Sequence, residues 1–207
     1  ERYGMSETGM NTANPLDGAR KPGTVGPPLP GVECLVVNDA GDVLPVGETG
    51  HLWVRGPNVF QGYWQNVEKT AESFTPDGYF KTGDLAVIDD EGYISIVGRS
   101  KDLIITGGLN VYPKEIELVL DAIDGVMESA VIGLPHPDFG ESVCAVIVSL
   151  PEVDLTPEFI FDQIKTRLAN FKTPKKIFFL QNLPRNTMGK VQKNQLREQF
   201  SDAAHNQ

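Results

Sequence analysis

The sequence predicts an α+β protein in two parts. Residues 1–98 form a small antiparallel β-barrel-like subdomain, 99–102 a hinge, and 103–207 a compact α+β domain. Three observations predict this. The first hundred residues carry short β-like runs separated by Gly- and Pro-based turns, the spacing of a small antiparallel sheet or barrel. After Arg99, strand-like and helix-like segments alternate, as they do in a mixed domain. A hydrophobic content of 40% with 22% charged residues suffices for a real core. No apolar run approaches the ~18–20 residues that a membrane-spanning helix needs.

In chain order, 32–37, 51–54 and 93–97 read as strands. Turn signals at Pro30-Gly31, Ala40-Gly41-Asp42, Asp77-Gly78 and Glu91-Gly92 separate them. Residues 113–124 read as a helix. Pro113 suits its first turn, Glu115 and Glu117 complement its dipole, and Gly125 can end it. Ile116, Val119, Leu120 and Ile123 make one apolar stripe. Runs 129–134 and 143–150 are rich in β-branched residues and read as buried strands. A second helix spans 156–170, with Thr156 as N-cap, Pro157 after it, and Ile160, Ile164 and Leu168 on one face. Residues 177–180 give a third strand.

The net charge of −10 is unevenly distributed. Residues 1–160 carry 9 Lys/Arg against 25 Asp/Glu, whereas 161–197 carry 9 Lys/Arg against Asp162 alone. An acidic body argues against non-specific nucleic-acid binding. The basic segment is suited to a phosphate-rich small ligand or, more plainly, to a solvated face. Cys34 and Cys144 sit in apolar runs and read as buried thiols in a reducing compartment. His51, His136 and His205 show no metal-ligand spacing.

Four strings carry groups suited to chemistry. Tyr3-Gly4-Met5-Ser6-Glu7-Thr8-Gly9 packs hydroxyls, a carboxylate and two glycines together. Glycine lets backbone amides approach a phosphate, and Glu supplies the hard oxygen that Mg2+ prefers. Lys81-Thr82-Gly83-Asp84 places a carboxylate before an apolar strand, able to accept from a ribose diol or simply to cap a turn. The third string, Gly98-Arg99-Ser100-Lys101-Asp102, runs through Leu103-Ile104-Ile105-Thr106 to Gly107-Gly108, across the change of texture. Pro184-Arg185-Asn186-Thr187-Met188-Gly189-Lys190 holds a lysine on a loop, where a cation can neutralise charge developing between a carboxylate and a phosphate. No phosphate loop, nucleophile elbow, zinc motif or dinucleotide fingerprint is present.

Taken in this order, the four strings resemble the adenylate-forming superfamily of acyl-CoA synthetases, luciferases and peptide-synthetase adenylation domains. Glu1 to Thr12, Gly56-Pro57-Asn58-Val59-Phe60, Gly62-Tyr63-Trp64, Ala130 to Glu141 and Pro184 to Lys193 are most similar to its malonyl-CoA synthetase branch. The resemblance implies an ATP-dependent acid–thiol ligase that forms malonyl-CoA through an acyl-adenylate, with ATP, Mg2+ and coenzyme A. Another small dicarboxylate such as methylmalonate, or delivery to a carrier protein, stays open.

The resemblance also implies roles for individual residues. Tyr3, Gly4, Ser6 and Thr8 line the nucleotide, with Ser6 and Thr8 at the α-phosphate. Glu7 ligates Mg2+, and Asp84 and Arg99 hold the ribose hydroxyls. Lys101 is the hinge. Gly107 and Gly108 admit the pantetheine arm of coenzyme A, whose phosphates meet Lys172, Lys175 and Arg185. Lys190, Thr8 and Glu7 are catalytic, and Lys190 also binds the nucleotide; apart from the resemblance, acetylation of Lys190 by a lysine acetyltransferase, which would remove its charge, is a regulatory expectation. The resemblance further implies a cytoplasmic enzyme of which this chain is roughly the last two fifths, inactive by itself.

Overall fold

The chain opens on a polar hairpin. β1 (Arg2–Met5) pairs antiparallel with β2 (Gly9–Ala13), Tyr3 opposite Thr12 and Met5 opposite Gly9. The strands approach so closely that a Cβ on Gly4 would lie 2.1 Å from the Gly9 carbonyl oxygen. The structure, a computed structural model, describes residues 1–204, and of 202–204 the backbone alone. His205 lies outside the described residues. The chain divides into two units, Glu1–Lys101 and Asp102–Gln207.

The first unit continues with β3 (Glu33–Val37), β4 (Gly50–Arg55), helix α1 (Val67–Ser73), β5 (Phe80–Ile88) and β6 (Ile94–Arg99). These strands form an antiparallel sheet in the order β3-β4-β5-β6. The sheet is open, with β3 and β6 as its edges, where the sequence suggested something barrel-like. Side chains of β4 alternate between buried and half-buried, so one face carries the core of Val36, Leu52, Val54, Ala86 and Ile94. Tyr3 packs against that core, which seats the hairpin on the sheet. A short 3-10 turn, Ser100–Asp102, ends the unit. At its first residue, the Ser100 hydroxyl donates to the Gly83 carbonyl at 3.0 Å.

The second unit comprises β7 (Ile104–Thr106), β8 (Leu109–Val111), α2 (Pro113–Asp121), β9 (Val126–His136), β10 (Gly140–Ser149), α3 (Pro157–Ile164), β11 (Lys176–Phe179) and α4 (Lys193–Ala204). β10 is central. β9 runs antiparallel along one side of it, with Cys144 opposite Ile132. On the other side β11 is parallel, Cys144 opposite Lys176, and β7 touches at Gly140 opposite Thr106. Both faces are covered. Val131, Val143, Ala145 and Ile147 pack with Ile116 and Leu120 of α2 and Ile160 and Ile164 of α3. Ala130, Ile132, Cys144 and Val146 pack beneath Leu183 and Leu196 of the C-terminal segment. That explains the unbroken apolar runs, since a strand buried on both faces does not alternate. Each fully buried Leu or Ile contributes about 1.5–3 kcal/mol.

The helices start where expected and end earlier. Pro113 opens α2, and Thr156 caps α3 by accepting from the Phe159 N–H at 3.2 Å. α3 stops at Ile164, but turn hydrogen bonds carry the chain onward so that Leu168 still enters the core.

Candidate functional site

In the first unit, the turn between β1 and β2 carries Ser6, Glu7 and Thr8. Thr8 is fully buried, and its hydroxyl oxygen accepts from Asn11 Nδ2 at 2.8 Å. Asn58 ties the turn down, its Nδ2 donating to the carbonyl of Thr8 at 2.7 Å and to Asn11 Oδ1 at 2.9 Å. The Phe60 N–H donates to the Glu7 carbonyl at 2.8 Å. Above this fixed base Ser6 is exposed and Glu7 half-buried. The Tyr63 hydroxyl donates to Glu7 Oε1 at 3.2 Å. Burial, and then the Glu7 charge, push the Tyr63 hydroxyl pKa up. Thr8 thus holds the turn from inside, while Ser6 and Glu7 face outward.

A second cluster joins three of the motif residues. Asp84, on β5, is 6% exposed. Arg99 stands opposite it on β6, and its Nε lies 2.8 Å from Asp84 Oδ1. The Tyr3 hydroxyl, 81 positions away in the chain, donates to Asp84 Oδ2 at 2.5 Å. Burial first, and the Asp84 carboxylate second, raise the Tyr3 hydroxyl far above its ordinary range, so it stays a donor. Thr82 supports the arrangement: its hydroxyl donates to the Leu52 carbonyl at 2.7 Å and accepts from the Asp84 N–H at 3.1 Å.

Among the described residues no three His, Cys, Asp or Glu side chains gather as a metal site. Glu7 nonetheless fits Mg2+, which takes one or two carboxylates and completes its shell with substrate phosphates and water.

In the second unit, Gly107 and Gly108 form the exposed β7–β8 turn at φ of 57° and 77°. A Cβ at Gly108 would meet nothing within 4 Å, so backbone conformation alone accounts for glycine there within this unit. The Gly107 N–H donates to the Phe139 carbonyl at 2.9 Å. Glu141 Oε2 accepts from the Ile105 N–H at 2.8 Å. The cations expected at coenzyme A phosphates have protein partners: Lys172 pairs with Glu115 at 2.7 Å, and Arg185 with Glu128. Lys193 pairs with the buried Glu117 at 2.6 Å. Lys190 is exposed, and its ammonium has no ion pair within its unit among the described residues.

The motif strings carry Tyr3, Glu7, Asp84, Arg99 and Lys190, to which the resemblance assigns roles. Thr82 lies in the second string, and Asn11, Asn58 and Tyr63 in the stretches that carry the resemblance, but none has an assigned role there; the structure adds them, with Glu117 and Glu128, as supports.

Two family models match the chain, "AMP-binding enzyme" over residues 1–64 and "AMP-binding enzyme C-terminal domain" over 115–190. The chain belongs to the AMP-binding enzyme family. It is 42% identical over 213 residues to a malonate–CoA ligase of Arabidopsis thaliana, covering 98% of this chain and 34% of that protein. It is 39% identical over 200 residues to a long-chain-fatty-acid–CoA ligase of Yersinia pestis, covering 96% of this chain and 35% of that protein. Among solved structures it superposes on ATP-bound MatB from Rhodopseudomonas palustris with a TM-score of 0.94 and 56% identity, over 98% of this chain and 41% of that one. The chain therefore spans about a third of the length of the curated relatives it matches.

Proposed function

We propose that the chain belongs to an ATP-dependent acid–CoA ligase that joins malonate to coenzyme A through an acyl-adenylate. The observation that carries the reading is the Tyr3–Asp84–Arg99 cluster. Three residues given nucleotide contacts on separate strings meet at one buried carboxylate. Both Asp84 oxygens are fixed by protein donors, and a carboxylate is an acceptor suited to ribose hydroxyls.

On this reading the substrate carboxylate attacks the α-phosphorus of ATP and pyrophosphate leaves. Ser6 and the amides of the Gly4–Gly9 turn receive the α-phosphate. Glu7 holds Mg2+, which supplies charge neutralisation on the phosphates when bound. Lys190 offsets the negative charge between carboxylate and phosphate. In the second step the coenzyme A thiolate attacks the acyl carbonyl carbon, forming the thioester as the bond to AMP breaks. Lys101 is the hinge between the steps, and the Gly107-Gly108 turn lies where the thiol arm enters. Lys172 and Arg185 reach coenzyme A phosphates only by leaving Glu115 and Glu128.

Malonate is favoured by the Arabidopsis relative and by the Arg185-Asn186-Thr187-Met188 string. The long-chain relative is only three points less identical, so the acid is decided by assay. The complete protein is incubated with ATP, coenzyme A, and malonate, methylmalonate, acetate or palmitate, and pyrophosphate release is followed. Malonate is expected to give the highest kcat/KM; no malonate-dependent release would discard the substrate. Lys190→Ala is expected to slow adenylation by two or more orders of magnitude, in the range typical of preorganised electrostatic groups.

A further inference from the structure

Lys190 combines an exposed ammonium, without an ion pair among the described residues, with a backbone fixed on every side. Its N–H donates to Asn186 Oδ1 at 2.9 Å, and its carbonyl accepts from the Asn186 N–H at 3.0 Å. Asn186 Oδ1 also takes the Met188 N–H at 3.0 Å, and the Asn186 carbonyl takes the Gly189 N–H at 2.9 Å. Arg185 Nη1 donates to the Gly189 carbonyl at 2.6 Å, while its other terminal nitrogen is held by Glu128 on β9. Arg185 and Val191 close the loop as a β-bridge. Gly189, at φ 78°, completes the reversal with open space where a Cβ would stand.

The next lysine, Lys193, is the opposite case, its ammonium buried against Glu117. Lys193, at the start of α4, is thus held by its head from α2, whereas Lys190 is held by the loop through its backbone.

We propose that Asn186, backed by the Arg185–Glu128 pair, is a positioning residue for Lys190. The carboxamide replaces loop backbone partners that a hairpin of this length lacks, so only the lysine's own side-chain torsions remain free. A cation aimed this way loses less freedom on meeting the reacting groups, and small misplacements of such groups cost rate steeply. This inference rests on the adenylating role proposed above for Lys190, and it assigns Arg185 to the loop itself.

The test compares the half-reactions of the complete protein. Adenylation is read as pyrophosphate release from ATP and malonate in a single turnover. Thioester formation is read from preformed malonyl adenylate and coenzyme A. Asn186→Ala is expected to slow adenylation roughly ten- to a hundredfold and to leave thioester formation within about twofold. Asn186→Thr, whose hydroxyl can make a similar turn, is expected to recover most of the loss. Equal slowing of both half-reactions would make Asn186 a merely structural residue and overturn the proposal. So would unchanged adenylation in Asn186→Ala alongside a collapse in Lys190→Ala. If Lys190→Ala also adenylates normally, the functional reading itself fails. Should Asn186→Ala not fold, Glu128→Gln, which weakens the Arg185 anchor at a distance, is expected to show the same split; equal rates there would refute the inference.

Discussion

The Tyr3 hydroxyl is the donor on Asp84 Oδ2, and that carboxylate is 6% exposed. Replacing Tyr3 with Phe removes a hydrogen bond donated to a charged, buried group, at a cost of about 1–3 kcal/mol. A drop of this size in the urea stability of the first unit is expected, with weaker nucleotide binding beside it. The same residue makes stability depend on pH. Its pKa in the folded state lies well above 10, and burial pushes Cys34 from 9.0 up to about 12. Both groups favour the folded state in their protonated form. Their contribution is whole below pH 9 and is lost as pH climbs from there toward 12. Urea midpoints from pH 7 to about pH 11 should therefore be flat at first and then fall. Tyr3→Phe should soften the part of the fall above about pH 10; an identical slope in the variant would refute the assignment. At this scale the motif residues were legible from their strings, because short polar runs among glycines stand out. Their supports were not. Thr82 and Asn58 meet their partners across 30 and 50 positions, which no local pattern records.

Elements were legible in proportion to their burial on a regular period. α2 showed itself through Ile116, Val119, Leu120 and Ile123, and β9 and β10 through β-branched runs. α4 was missed because Leu196 and Phe200 are its only large apolar side chains among those described. β7 and β8 were legible only as a possible surface hairpin around Gly107-Gly108, because three residues each are too few to show alternation. What fastens α4 is electrostatic as well as apolar. Glu117 on α2 accepts from the Val131 N–H of β9 at 3.0 Å and from Lys193 at 2.6 Å. The two side chains of the pair are 10% and 16% exposed. Removing one partner of a buried pair leaves the other charge uncompensated, at a cost on the order of 3 kcal/mol. Lys193→Met is expected to lower the stability of the second unit by that amount, measured by urea titration. The double variant with Glu117→Met should recover much of it, since an apolar replacement of both partners removes the stranded charge.

At the scale of the whole chain, the segregated charge read from the sequence is largely neutralised by the fold. Lys172, Arg185, Lys193 and Arg197 reach back over 57, 57, 76 and 95 positions to Glu115, Glu128, Glu117 and Asp102. A linear reading found a basic segment seeking phosphate; folding gives most of those cations a carboxylate. Their magnitudes decide what holds the C-terminal segment in place. Apart from Lys193–Glu117, the pairs are partly exposed and contribute about 0–1 kcal/mol each. Leu183, Leu196 and Phe200 instead cover the β9–β10 face, with Phe200 stacked on Phe178 at 4.1 Å between ring centroids. Apolar cover should thus dominate. With cores on both faces of its sheet, a polypeptide of residues 102–207 is expected to unfold cooperatively by circular dichroism. Its midpoint should shift little between low and high salt. A polypeptide ending at residue 180 loses Leu183, Leu196 and Phe200 and leaves Ala130, Ile132, Val146 and Val148 uncovered. It is expected to keep helical signal, bind hydrophobic dye and melt without a sharp transition, the behaviour of a sheet with secondary structure but no fixed packing. A sharp transition in the shortened polypeptide would show that the face is not held by its apolar cover.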